Sequence, residues 1–142
     1  MNRIAALQSC LSAEHAALYG YGALGGVLAG VPRAEPDLAR AKSSYAVHRE
    51  LREDLTARIS GTGALPAAAS AAYDLPFAVQ DGRSCRRLAR LLEQRAASVY
   101  GLAVAATVDE DRAFAAAALR GCAVREVAWG AGVEPFPAIP EL

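Results

Sequence analysis

The chain has 142 residues, with 15 basic and 15 acidic side chains and a formal net charge of zero, which removes any global electrostatic reason to bind nucleic acid or an anionic membrane. Its length suits a single domain that buries roughly two thirds of its unfolded surface without metal or disulfide support. Three cysteines, Cys10, Cys85 and Cys122, form no Cys-x-x-Cys pair; their odd number points to reduced thiols in a cytoplasm and away from structural zinc.

The start, Met1 to Ala13, is broken by Gln8, Ser9 and Ser12 and is too short for a signal core or a membrane span, so a cytoplasmic location is expected. Ile4, Leu7, Leu11, Glu14, Leu18, Tyr21, Gly25 and Leu28 fall at alternating three and four residue steps, which predicts a first helix over about 2–30. Glu14 interrupts its apolar stripe. Pro32 stops that helix, and Pro36 suits the first turn of a second over 36–60. The stripe of the second is Leu38, Ala41, Tyr45, His48, Arg52, Leu55 and Ile59, closed at Ser60-Gly61. A long link follows over 61–83, apolar at Tyr73, Leu75, Phe77 and Val79, so it is expected to pack along the bundle. The third helix spans 84–106, with Leu88, Leu92, Val99 and Leu102 apolar. Thr107-Val108-Asp109-Glu110 has the form of a capping box opening a fourth over 108–129. The bundle is thus assigned to 1–130. The remainder, 131–142, is a Pro-rich tail carrying Phe136, Ile139 and Leu142, expected across one end of the bundle or on a partner subunit.

Two stretches read as copies. Glu14 to Gly22 has Glu, six residues, then Tyr21-Gly22, and Glu93 to Gly101 repeats it with Tyr100-Gly101. A second echo pairs Tyr45-Ala46-Val47-His48 with Cys122-Ala123-Val124-Arg125, at a similar offset of roughly 78 residues. Short connections within each half make each pair of helices an antiparallel hairpin, while the link between halves is long enough to cross from one end of the bundle to the other.

Two helical hairpins joined by a long crossover, with a Glu midway along the first and third helices, resemble the ferritin-like superfamily over almost the whole chain. More narrowly, Glu14-His15-Ala16-Ala17, Tyr19-Gly20-Tyr21-Gly22, His48-Arg49, Ala123-Val124-Arg125 and Trp129-Gly130 are similar to a bacterial ferritin-like domain family of unknown function. The resemblance implies an all-α, ferritin-like four-helix bundle and little about activity. Metal-bearing members of the superfamily take a Glu from each of helices one and three, and Glu-x-x-His from each of helices two and four. Glu14 and Glu93 match the first requirement. Helix two has Tyr45-x-x-His48 instead, and helix four has Cys122-x-x-Arg125, so a permanent cation stands where the second His belongs.

Hairpin geometry gives a structural reading of the same residues. A first turn centred near residue 33 sets Glu14 level with Arg52 and within a turn of His48; a second near 108 sets Glu93 level with Arg125. Each half is therefore expected to hold a Glu and Arg pair, in a polar belt of Glu14, Tyr45, His48, Arg52, Glu93 and Arg125. Removing one member of a buried pair strands the other charge at about 3 to 5 kcal/mol. The functional readings are a reduced iron or manganese site on Glu14, His48 and Glu93, with Tyr45 or Cys122 nearby, and a small-molecule pocket lined by the same belt.

Gly20-Tyr21-Gly22-Ala23-Leu24-Gly25 satisfies Gly-x-Gly-x-x-Gly, but it lies inside a helical pattern and not between a strand and a helix; it reads as close helix approach around Tyr19, Tyr21 and Tyr100. Arg83, Arg86, Arg87 and Arg90 form a basic stripe that Glu50, Glu53 or Asp54 are expected to compensate. His15 points about 100° from Glu14 round the helix and reads as a surface or subunit-contact residue, and Cys122 as a small core residue. The expected role is a non-catalytic structural or interaction module that forms a homodimer or small homo-oligomer. The alternative is an atypical metal-dependent oxidoreductase or iron-handling protein.

Overall fold

A computed structural model describes residues 1–132, and the Phe136, Ile139 and Leu142 tail lies outside them. The chain forms four helices and, among the described residues, no strand: α1 (Arg3–Leu28), α2 (Glu35–Ser60), α3 (Gly82–Ala106) and α4 (Asp109–Ala128). This is the all-helical architecture of a four-helix bundle.

Local chemistry sets the helix ends. The Asn2 side chain caps α1 by accepting from Ala5 N at 2.8 Å. Pro36 sits in the first turn of α2. At α3 the Asp81 carboxylate accepts from Ser84 N at 2.7 Å while the Ser84 hydroxyl meets the Asp81 backbone N–H, a capping box where the sequence pattern alone suggests only a helix start. The box expected at Thr107 does not form. Thr107 ends α3 with its hydroxyl donating to Ala103 O at 2.6 Å, and α4 opens on Val108 with no side-chain cap. Gly130, at φ 96°, takes the left-handed position just past α4.

Side-chain register sets the helix directions. Tyr21 of α1 meets Glu93 of α3, and Tyr100 of α3 meets Glu14 of α1, so the two helices run antiparallel. Helix α1 packs on both α2 and α3, and α3 packs on α4. Gly20 makes the close approach: a Cβ there would fall 2.6 Å from Leu92 Cδ1. The 61–81 link lies against α1. Gln8 donates to Leu65 O at 2.7 Å and accepts from Ala67 N at 2.8 Å, His15 meets Ala67 O at 2.9 Å, and the Tyr19 and Tyr73 rings lie 5.3 Å apart. His15 therefore anchors the link.

The apolar core falls into two clusters. One holds Leu7, Leu11, Leu55, Ile59, Tyr100 and Cys122; the other holds Tyr21, Leu24, Leu28, Leu88, Leu92 and Trp129. Glu14 lies between Leu11 and Tyr21 along α1, so a polar layer separates the clusters. At the end formed by the start of α1 and α4, Asp111 accepts from both Arg3 and Arg58. The arginine stripe is compensated differently from expectation: Arg86 pairs with Asp37 at 2.7 Å, Arg87 lies over the Phe77 ring at 4.1 Å, and Arg90 reaches Gly130 O. Glu50, Glu53 and Asp54 lie on the exposed face of α2.

Candidate functional site: a buried charged layer

Four helices deliver one connected network to the middle of the bundle. Glu14 and Tyr21 come from α1, His48 from α2, Glu93 and Tyr100 from α3, and Cys122 and Arg125 from α4, with Trp129 just past its end. Glu14, His48 and Glu93 are 0% exposed. The imidazole bridges the two carboxylates: Nδ1 lies 2.6 Å from Glu14 Oε2, and Nε2 lies 3.1 Å from Glu93 Oε1. Tyr100 donates to Glu14 Oε1 at 2.6 Å and Tyr21 donates to Glu93 Oε1 at 2.6 Å. Trp129 Nε1 donates to the Tyr21 hydroxyl at 3.0 Å. Arg125 Nε donates to Glu93 Oε1 at 3.0 Å and its NH2 reaches Cys122 Sγ at 3.4 Å.

These contacts shift the titration of the buried groups. Burial pulls the His48 pKa down, but hydrogen bonds to Glu14 and Glu93 and the charge of both carboxylates outweigh it, and the value rises from 6.5 to about 9. At neutral pH both ring nitrogens carry protons and both donate. Burial pushes Glu93 up, yet the His48 hydrogen bond and charge, Arg125 and Tyr21 hold it below the usual carboxylate range. The layer thus contains two carboxylates against an imidazolium and a guanidinium, and it is neutral overall. Burial, reinforced by the neighbouring carboxylates, raises both Tyr21 and Tyr100, which stay protonated as donors. Burial likewise raises Cys122, with Glu93 adding to the rise and Arg125 opposing it. Glu93 Oε1 receives three donors while Glu93 Oε2, also buried, has no hydrogen-bond partner among the described residues.

The structure brings together Glu14, His48, Glu93 and Arg125, and it leaves out two members of the expected belt. Arg52 does not reach Glu14; it reaches Glu53 at 3.4 Å on the outer face of α2. The cause is register. With α1 ending at Leu28 and α2 opening at Glu35, the hairpin is centred between Val31 and Pro32, which moves the position level with Glu14 about three residues earlier, to Arg49, next to the inward-facing His48. The second hairpin, between Ala106 and Asp109, is centred where expected; Cys122 is level with Glu93, and Arg125, about a turn further along α4, reaches Glu93 Oε1 at 3.0 Å. Tyr45 is 40% exposed. The buried face of α2 runs through Ala41, Ser44, His48, Leu55 and Ile59, one residue out of phase with the expected stripe at Tyr45 and again at Arg52. Tyr21, Tyr100 and Trp129 join the layer through their polar tips; the repeated Glu-x6-Tyr spacing, two turns of helix, was the signal for both tyrosines.

Among the described residues, no group of three or more His, Cys, Asp and Glu side chains is arranged to hold a metal ion. Glu14, His48 and Glu93 are instead bonded to one another, with His48 bridging the two carboxylates. Nor, among the described residues, is any helix long and apolar enough to cross a membrane.

No curated protein matches the chain. The crystal structure of a conserved hypothetical protein, rv2844, from Mycobacterium tuberculosis is similar to it at 33% identity with a TM-score of 0.81, over 89% of this chain and 93% of that one. A family model described as a domain of unknown function, DUF4439, matches residues 6–141. The bundle and its buried layer thus occur in a chain that belongs to the DUF4439 family.

Proposed function

We propose that this chain is a non-catalytic, ferritin-like four-helix bundle whose metal layer has become a structural network, and that it serves as a structural or protein-interaction module. The observation that carries the reading is His48 held between Glu14 and Glu93 by both ring nitrogens. In a di-iron bundle those carboxylates face metal. Here one imidazolium and Arg125 neutralise them. The ferritin-like part of the reading is supported by the antiparallel α1 and α3, by the 61–81 link lying along α1, which fits a crossover, and by a Glu at the same height on each of these two helices. The exchange of hydrogen bonds between the two Glu-x6-Tyr segments fits an internally repeated hairpin. The exposed, alanine-rich helix faces suit self-association as a homodimer or small homo-oligomer, two-fold dimers being the commonest closed assembly.

The donor set does not fit a resident iron or manganese pair. Two carboxylates and one histidine remain of the superfamily's set, the histidine has no free lone pair, and the Arg125 guanidinium sits 3.0 Å from the Glu93 oxygen that would face the metal. One feature favours the rival reading, an atypical metal-dependent protein: the orphaned Glu93 Oε2 is a buried lone pair awaiting a partner.

The test is elemental analysis of the protein purified with and without Fe(II) and Mn(II) supplied during expression, together with nitrogen NMR of His48. The expected result is no stoichiometric metal and an imidazole protonated at both nitrogens at neutral pH. Stoichiometric metal that is lost in Glu14→Gln or Glu93→Gln would overturn the structural reading.

A further inference from the structure

A groove of about 450 Å³ opens between α1 and α2, with Tyr21 of the charged layer as one of its walls, within the range of roughly 300 to 1,000 Å³ usual for small-molecule sites. Tyr21, Gly22 and Gly25 of α1 and Leu38 and Ala41 of α2 form its apolar walls. Gly22 and Gly25 leave room there: a Cβ added at either meets nothing within 4 Å. Along the rim Lys42, Tyr45 and Arg49 follow one another at three and four residue steps, on one face of α2. Lys42 and Arg49 are exposed, and neither belongs to any ion pair among the described residues. None of the residues lining the groove is acidic.

An apolar trough beside two cations with no ion-pair partner among the described residues, and a tyrosine hydroxyl, matches one ligand chemistry. We propose that this groove binds a small anionic amphiphile, a single carboxylate on an unbranched apolar chain, with the chain along Gly22 and Gly25 and the carboxylate at Tyr45 between Lys42 and Arg49. A second copy of the chain fits less well, because a two-fold contact through this groove would bring the Lys42 and Arg49 rims of the two copies together with no acidic residue in the lining of either. The proposal goes beyond the structural role of the buried layer: Tyr21 is shared, its ring in the groove wall and its hydroxyl in the network, but none of the rim residues Lys42, Tyr45 and Arg49 belongs to that network.

Calorimetric titration of the full chain with decanoate, below its micelle concentration, tests it. Wild-type protein is expected to bind one decanoate per chain saturably. Gly25→Leu fills the groove without meeting a neighbouring atom at its Cβ and is expected to abolish binding while circular dichroism and melting stay those of a folded bundle. Lys42→Glu combined with Arg49→Glu is expected to weaken binding at least tenfold, and decanol is expected to bind at least tenfold more weakly than decanoate. Equal affinity for decanol, or binding unchanged in Gly25→Leu, would overturn the proposal. So would a wild-type dimer in sedimentation that binds no decanoate and dissociates in Gly25→Leu, which would assign the groove to a second copy.

Discussion

Raising the pH through the neutral range strips the proton that holds the two buried carboxylates together, and the cost is calculable. A histidine whose folded pKa lies above its unfolded one binds more protons in the folded state. Its stabilisation is complete below the unfolded value of 6.5 and is lost as pH rises through about 9. The full contribution is about 3 kcal/mol, at about 1.4 kcal/mol for each tenfold gain in proton affinity, and about 2 kcal/mol of it disappears between pH 6.5 and 8.5. That loss corresponds to a fall of roughly 4–8 °C in Tm for a chain of this size. Burial also raises the thiols Cys10, Cys85 and Cys122, which pull the same way as they ionise in the unfolded chain around 9.0; stopping at pH 8.5 keeps most of their effect out. Glu93, held low, acts only at acid pH, where stability is lost as pH falls through its folded value. The assay is urea unfolding followed by circular dichroism at half-unit steps from pH 6 to 8.5. His15→Gln, which removes only the contact with Ala67 O, is expected to keep the slope, and His48→Gln to abolish it. A flat wild-type profile, or the same slope in His48→Gln, would refute the account of His48 as a buried imidazolium.

The same network makes Glu14→Gln expensive. It removes one of two charges facing His48, at about 3 to 5 kcal/mol in chemical denaturation at pH 7, while Arg52→Ala, a change on the half-exposed outer face of α2, is expected to stay within about 0.5 kcal/mol. Two α1 glycines should respond with opposite signs. Gly20→Ala forces the buried Leu92 aside and costs about 1 to 2 kcal/mol, whereas Gly26→Ala meets nothing within 4 Å and stabilises by about 0.5 to 1 kcal/mol, both read from denaturation midpoints. All three cysteines are buried with raised pKa values, so a thiol-specific chromophoric reagent should label none of them in native buffer at pH 7 and all three in denaturant.

What the sequence disclosed follows from what is periodic in it. Helix existence and ends were legible because Pro32, Pro36 and Ser60-Gly61 punctuate apolar stripes, and the observed boundaries fall within about two residues of those expected. Glu14, Glu93, His48 and Arg125 were legible because each is a polar residue on an otherwise apolar stripe. His48 was expected within a turn of Glu14, but that it and not Arg52 is the partner was not legible. Stripe phase in α2 depends on which of two adjacent residues faces inward, and at Ser44 against Tyr45 hydropathy misleads, since the larger aromatic looks the better core residue while Ser44 is the buried one. The turn position compounded this: moving the hairpin centre by about one and a half residues moves the level position by about three residues, nearly a turn, from Arg52 to Arg49, next to His48. The Asp81 capping box escapes notice when the helix start is placed at Ser84, inside the box itself.

The layer is symmetric in its tyrosines and asymmetric in its cations, and that difference decides how each residue matters. Tyr21 and Tyr100 exchange places, each donating to the Glu of the other half. Glu14 receives one donor on each oxygen, from Tyr100 and from His48. Glu93 receives Tyr21, His48 and Arg125 on one oxygen and nothing on the other. His48 is the single cation shared by both carboxylates and is fully enclosed, so its loss strands negative charge in both halves, where water cannot reach. Arg125 serves Glu93 alone and its side chain is 18% exposed; if it is lost, water can partly replace it, and His48 still offsets one charge. The echo that aligns His48 with Arg125 therefore joins two residues of unequal weight, and the stability of the middle of the bundle hangs on the imidazole rather than on the guanidinium.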